Sequence, residues 1–427
     1  MSGEGTSNGN LNENSEMPVY KKEALNVTNF KLVYEEDDLE SNHAITFKPE
    51  MAHQIFGESE SIFGYRSLSI SLNYLHNSCK CYLDVKSAGK IASGHIKADN
   101  IVKLLDPWLP GNFTSSYDDF LGMLNDENHE QIYGDIIKTF QGNNELTRFP
   151  EHHIKPTYKI TQNNIDSEDF KEFHSRFETF IVWFIDAANF IDLDDERWII
   201  FYIYEEFEHP ITRKIYRTPV GFCSVYKFYA FPNNIRPRIS QFFILPSHQK
   251  NGLGTALYET VASSLRSMNN VVDMTVEGPT TEFQKIRDLD DCFTIHKELL
   301  ENKTDFFETD SRQMFEIAKK CKIGKRQVQR VYDILGLYYS TEKGPLSYAK
   351  YVDNIKDRFK RNNERQSRAS KRFCNLDRAG TTIQTEKNIL IDAEYKKYLE
   401  DLEPSVKYLQ KKMSDRLKDW IVKKVII

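Results

Sequence analysis

Between a strand-like run ending at Leu245-Pro246 and a helical run starting near Thr255 lies Gln249-Lys250-Asn251-Gly252-Leu253-Gly254. This segment limits the possible folds of the chain more than any other. Two glycines let the backbone turn and approach a ligand without Cβ clashes. The start of a helix adds unpaired N–H groups and the positive end of the helix dipole, which together suit a pyrophosphate. Two other phosphate motifs fail on spacing. A Walker loop needs Gly-Lys and then Ser or Thr, but Gly254 is followed by Thr255-Ala256. A dinucleotide fingerprint needs a third small residue where Leu257 stands. A bare Gly-x-Gly is often only a turn. Its place between strand and helix favours a phosphate-bearing ligand.

The flanking pattern supplies the scaffold. Ser67–Leu75 and Cys81–Val85 alternate as strands. Phe170, Phe173, Phe177, Ile181 and Phe184 recur at helical spacing and predict a core helix. Trp198–Tyr204, Val220–Phe231 and Ile239–Leu245 then read as strands, and Thr255–Ser267 as a helix. Val271–Glu277 reads as a further strand, and Thr280 opens another helix. This order predicts an α+β fold, a mixed and mostly antiparallel sheet flanked by helices. A single core rarely supports 427 residues, so several domains are expected. We divide the chain into a disordered tail (1–16), an N-terminal mixed domain (17–160) and a cofactor-binding domain (161–300). A helical domain (301–345) and a basic helical extension (346–427) follow.

Charge is unevenly spread. Residues 341–427 carry 21 Lys and Arg against 13 Asp and Glu, or +8, which leaves −14 for residues 1–340 of a chain whose net charge is −6. An acidic body concentrates basic partners. Residues 356–372 hold eight Lys and Arg against Asp357 and Glu364. They read as a nuclear-import signal, a nucleic-acid-contacting arm or a solvated helix. With Phe359 as the only aromatic there, a base-stacking surface is not expected. The six cysteines are scattered, and Cys79-Lys80-Cys81 lacks zinc-site spacing, so no metal is expected. Apolar runs such as Phe180–Ile185 are too short to span a bilayer, so no membrane partner is expected.

Gln249-x-x-Gly252-x-Gly254 after a strand resembles the acetyl-CoA loop of the GCN5-related N-acetyltransferases. Longer stretches resemble one family within them, the type B histone acetyltransferase catalytic subunit. These are Phe47-Lys48-Pro49-Glu50, His53 through Glu60, Phe180 through Asp192, Asp194 through Trp198, Arg236 through Gln241 and Thr275 through Pro279. The resemblance runs from about Phe47 to Leu337. It implies a GCN5-related N-acetyltransferase fold and acetylation of Lys on the amino-terminal tail of newly made core histone four, before deposition on chromatin. It also implies a WD-repeat histone-chaperone partner and residence in cytoplasm and nucleus. By the same resemblance, Phe242, Phe243 and Ile244 contact the acetyl-CoA thioester and pantetheine through backbone groups. Gln249, Lys250, Asn251, Gly252, Leu253, Gly254 and Thr255 cradle the pyrophosphate, with Thr280 nearby. Glu58, Ser59 and Glu60, Trp198, and Tyr226, Lys227 and Phe228 line the histone groove.

The chemistry requires a base. A Lys ammonium, with an ordinary pKa near 10.4, must lose a proton before it can attack a thioester. A carboxylate at the end of a strand can take that proton, and backbone N–H groups can steady the oxyanion. Glu277 is the expected base, and Asp186 a second candidate acting through water or by holding the incoming amine. The family has Asp after this Glu, where this chain has Gly278, and Glu where Asp186 stands. Those departures keep a second reading open, a histone-tail escort with weak or no turnover. A third is an acetyltransferase acting on protein α-amines or small amines.

Overall fold

The computed structural model describes residues 19–41, 44–91, 97–109, 113–373 and 382–426. The expected disordered tail and Cys374 lie outside the described residues. The architecture is α+β.

Near the N-terminus, β1 (Thr28–Val33), β2 (Ile45–Phe47), β3 (Ser69–Leu75) and β4 (Cys81–Lys86) form a sheet in the order β2-β1-β3-β4. The pairing β1–β3 is parallel and the others antiparallel. A six-stranded sheet follows. Its strands are β5 (Asp135–Gln141), β6 (Thr157–Asn164), β7 (Trp198–Glu208), β8 (Ile215–Ala230), β9 (Asn234–Ile244) and β10 (Thr275–Val276), in the order β10-β9-β8-β7-β6-β5. Strands β9 and β10 pair in parallel, with Arg238 opposite Thr275 and Ile239 opposite Val276.

The aromatic helix does what its spacing demands. Helix α1 (Glu168–Glu178) starts at Ser167, whose hydroxyl accepts the Phe170 N–H, and runs into a 3-10 turn, Thr179–Trp183. Phe177 meets Tyr202 of β7 at 5.3 Å and Phe222 of β8 at 5.8 Å. Phe180 meets Tyr74 of β3 at 4.4 Å and Phe243 of β9 at 6.2 Å. One apolar stripe therefore joins both sheets, and each such ring stabilises the fold by about 1.5–3 kcal/mol through burial.

The expected strand Val271–Glu277 is shorter than its sequence suggests. Val271 makes only an isolated bridge to Ile235, and Met274 bridges Ile323 instead. Val271 lies opposite Ile235 but Thr275 opposite Arg238, so one extra residue on this segment shifts the register and interrupts the ladder, while the Met274 N–H donates to the Lys322 carbonyl on the other edge.

Contacts divide the chain into two compact units, one of residues up to Val225 with Gln241–Thr260, the other of Tyr226–Ser240 with Val261–Ile427. The second contains α3 (Thr281–Glu301), α4 (Ser311–Lys320), α5 (Lys325–Lys343), α6 (Pro345–Phe373) and α7 (Thr382–Ile426). Leu289, Ile295, Val331, Ile334, Leu402 and Leu409 lie in its core. Two buried carboxylates cross-link these helices. Asp288 accepts from Gln284, Gln327, Arg330 and Ser405. Asp333 accepts from Tyr398 and from both terminal nitrogens of Arg358. The basic stretch begins inside this framework. Arg358 is paired with Asp333, Lys356 with Asp392 and Lys360 with Asp357. The side chains of Arg368, Lys371 and Arg372 lie outside the described residues.

Candidate active site

In the first unit, β9 delivers the chain to the glycine loop. Phe243 and Ile244 are buried, Phe242 is half-buried, and the Gln249 side chain turns back to donate to the Ile244 carbonyl at 3.0 Å. Lys250 and Gly252 both take left-handed backbone, with φ +62° and +81°. Gly252 is the residue type that does so without strain, and a Cβ built there meets nothing within 4 Å. Asn251 is tied at 2.7 Å to Asn144.

Helix α2 (Leu253–Ser267) then begins, with the Ala256 N–H bonded to the Gly252 carbonyl. The N–H groups of Leu253, Gly254 and Thr255 precede that bond and have no carbonyl within the helix to meet. Open backbone, three N–H groups, the positive end of a 15-residue helix and the exposed Lys250 fit a pyrophosphate.

The same unit places the other predicted residues. Asp186 is exposed, and its carboxylate meets His53 Nε2 at 3.1 Å. Glu58 and Ser59 are exposed, but Glu60 turns inward to accept the N–H groups of Ala52 and His53. Trp198 starts β7, half-buried, after a turn in which its N–H donates to the Asp195 carbonyl. Sequence reasoning missed two contacts here. His53, in the quoted His53–Glu60 stretch, pairs with Asp186. Gln54 brackets Ala188, donating to its carbonyl at 2.9 Å and accepting its N–H at 3.2 Å. Nothing in the spacing of residues 54 and 188 signals that contact.

In the second unit, the Glu277 N–H donates to the Ile239 carbonyl at 2.9 Å, which fixes Glu277 just past β10. Its side chain is exposed and accepts the Ser240 hydroxyl at 3.0 Å. Ser240 is a further contact that sequence reasoning missed, although it lies inside the quoted Arg236–Gln241 motif. Gly278 and Pro279 carry the chain off the sheet, and Thr280 caps α3 by accepting the Phe283 N–H. Tyr226 and Phe228 meet edge to face at 4.7 Å, and the Arg238 guanidinium lies over Phe228 at 4.6 Å. Lys227, between them, is half-buried.

A strand feeding a backbone anion cradle can hold the phosphates of a nucleotide-bearing thioester. A fixed, solvent-facing carboxylate at a strand end can take a proton from an amine.

Comparison with known proteins bears on both. Residues 20–186 match the family model described as the histone acetyl transferase HAT1 N-terminus, and residues 166–280 match the acetyltransferase (GNAT) family. The human histone acetyltransferase type B catalytic subunit is 33% identical over 349 residues, covering 79% of this chain and 80% of that protein. The protein of the same description from Mus musculus is 32% identical, covering 79% and 80%. The one from Cryptococcus neoformans is 27% identical, covering 76% and 83%.

Proposed function

The chain belongs to the type B histone acetyltransferase catalytic subunits, and from that premise we propose its substrate, base and partner. It is an acetyltransferase of the GNAT family that uses acetyl-CoA to acetylate histone. We infer that the acceptor is a Lys of the core histone four amino-terminal tail, and that Glu277 is the general base. Bound acetyl-CoA supplies an acyl thioester. Glu277 takes a proton from the Lys ammonium, the amine nitrogen bonds to the acyl carbon, and the C–S bond breaks as a second proton passes from nitrogen to the leaving sulfur, releasing CoA as its thiol.

The observation that carries this reading is Glu277 itself, held by its backbone bond to Ile239 and open to solvent on its carboxylate. Asp186 serves as a second carboxylate for the incoming ammonium, with His53 fixing its direction. The sequence resemblance further supports a WD-repeat histone-chaperone subunit as partner, a role in chromatin assembly, and residence in cytoplasm and nucleus.

Glu277→Gln tests the base. Its kcat is expected to fall roughly 10²–10⁴-fold with the KM for acetyl-CoA nearly unchanged. Turnover close to normal at neutral pH would remove Glu277 from the mechanism. Release of free CoA thiol, measured with the core histone four tail peptide against a panel of free amines, tests the acceptor. Tail binding without thiol release would instead identify an escort.

A further inference from the structure

The segment that carries Asp186 is held in a conformation it would not adopt alone. Ala187 has φ +53°, a left-handed backbone that costs a residue with a Cβ about 1–2 kcal/mol. Gln54 grips the next residue. The far end of the segment is gripped by a carboxyl group with no place in the chemistry so far.

Glu178, at the end of α1, has a fully buried side chain. Its Oε1 accepts the Ile191 N–H at 2.9 Å and the Gln241 side-chain amide at 3.0 Å. That same amide donates to the Asn189 carbonyl at 2.8 Å, and the Gln241 carbonyl oxygen accepts the Ser224 hydroxyl at 3.1 Å. Gln241 directly precedes Phe242 on β9. One carboxyl therefore joins the Asp186 segment to the strand leading into the cofactor loop, all within the first unit.

We propose that Glu178 is a positioning residue whose carboxyl clamps the Asp186 segment to β9, and whose ionisation favours opening of that segment, because a charge in this dry site is better solvated by water than by the pocket. The inference rests on the acetyltransferase reading for its effect on turnover, but not for the clamp itself.

The surroundings favour the neutral form. The titratable groups facing the carboxyl are His174, on its own helix, and Tyr202 of β7, which is bonded to His174 Nδ1 at 2.7 Å. Ser224 from β8, Gln241 from β9 and the backbone of residues 189–191 contribute only neutral dipoles. Among the described residues no Lys or Arg pairs with it. Arg176, on the same helix, is committed to the Ser78 carbonyl and Glu172.

Burial pushes the Glu178 carboxyl up to about 7, against two hydrogen bonds that pull it down, and pushes His174 down to about 3. Near neutrality the two are thus more stable as an acid and a neutral imidazole than as an ion pair. His174 Nε2 is buried without a hydrogen-bond partner, 3.9 Å from Glu178 Oε2. In the tautomer whose Nδ1–H donates to Tyr202, Nε2 presents its lone pair towards that carboxyl oxygen. Because the folded value lies above the ordinary 4.5, the stabilisation is complete below about pH 4.5 and is lost as pH rises through about 7.

Hydrogen exchange of the full chain, corrected for the intrinsic pH dependence of amides, reads the clamp without substrate. In the wild type, protection of the Ala188 and Ile191 amides is expected to fall roughly tenfold between pH 6 and pH 8. Glu178→Gln, which keeps the acceptor and cannot ionise, should give a flat profile, and Glu178→Leu should be unprotected throughout. In acetyl transfer, the wild-type kcat should show a falling limb near pH 7 that the Gln variant lacks. Parallel wild-type and Gln exchange profiles would overturn the proposal, as would a Gln variant as unprotected as the Leu variant. If the Leu variant does not fold, the wild-type and Gln comparison alone decides. Exchange that behaves as expected in a protein without turnover would count against the acetyl-transfer reading and leave the clamp standing.

Discussion

Ser240 and Glu277 form the smallest functional group in the molecule, a hydroxyl donating to a carboxylate from the neighbouring strand. Such a bond fixes the direction of the carboxylate. A hydrogen bond to a charged group contributes about 1.5–3 kcal/mol, and exposure puts this one at the lower end. Ser240→Ala should therefore lower kcat several-fold with little change in the KM for acetyl-CoA. An unchanged kcat would show that Glu277 needs no such guide. Asp186→Asn should cost less than Glu277→Gln in the same assay. An equal loss would make the two carboxylates equal partners. Glu277 and Asp186 could be named from sequence because each lies in a recognisable motif. Ser240, His53 and Gln54 could not, because each acts on a residue at least 37 positions away, and one chain's spacing carries no sign of such contacts.

At the scale of elements, the loop between β9 and α2 was the most legible feature. Glycine, strand end and helix start are all local properties, and local properties survive in sequence. Gly254→Val should raise the KM for acetyl-CoA tenfold or more while saturated kcat stays near normal, since a branched side chain would crowd the cradle. A drop in kcat at saturating acetyl-CoA with unchanged KM would contradict that role. The strand β10 was the least legible. Its apolar run predicted seven residues, but Met274 bonds to Lys322 and only Thr275 and Val276 pair with β9. A register shift of one residue between Val271 and Thr275 leaves no trace in hydrophobic periodicity. In the C-terminal helices, Gly336 on α5 lies where a Cβ would be 1.9 Å from the Tyr351 ring of α6. Gly336→Ala should destabilise the protein by about 1–3 kcal/mol, despite the better helix propensity of Ala, as read by urea unfolding. A neutral or stabilising result would mean that Tyr351 can move aside cheaply.

At the scale of the whole molecule, one residue of the basic C-terminal stretch has a structural partner that composition does not reveal. Its charges read as a surface feature, yet Arg358 faces Asp333, a carboxylate with 0% of its side chain exposed. Arg358→Ala would leave that charge with Tyr398 and Gln329 as its remaining donors. The expected loss is about 3 kcal/mol, the low end for breaking a buried pair, measured as a lower urea midpoint. No loss would show that this pair does not hold the helices together. The two compact units have a consequence for how the chain is made. The backbone passes from one to the other after Val225, returns at Gln241 and leaves again after Thr260. Emerging from a ribosome, the first unit cannot close until Thr260 is free, a few seconds after Val225 at ordinary synthesis rates. Until then β8 waits without the part of β9 that completes it, and Glu178 waits without Gln241. No cut at a single point yields both units whole: a break after Thr260 leaves the second without Tyr226–Ser240, and one after Val225 leaves the first without Gln241–Thr260.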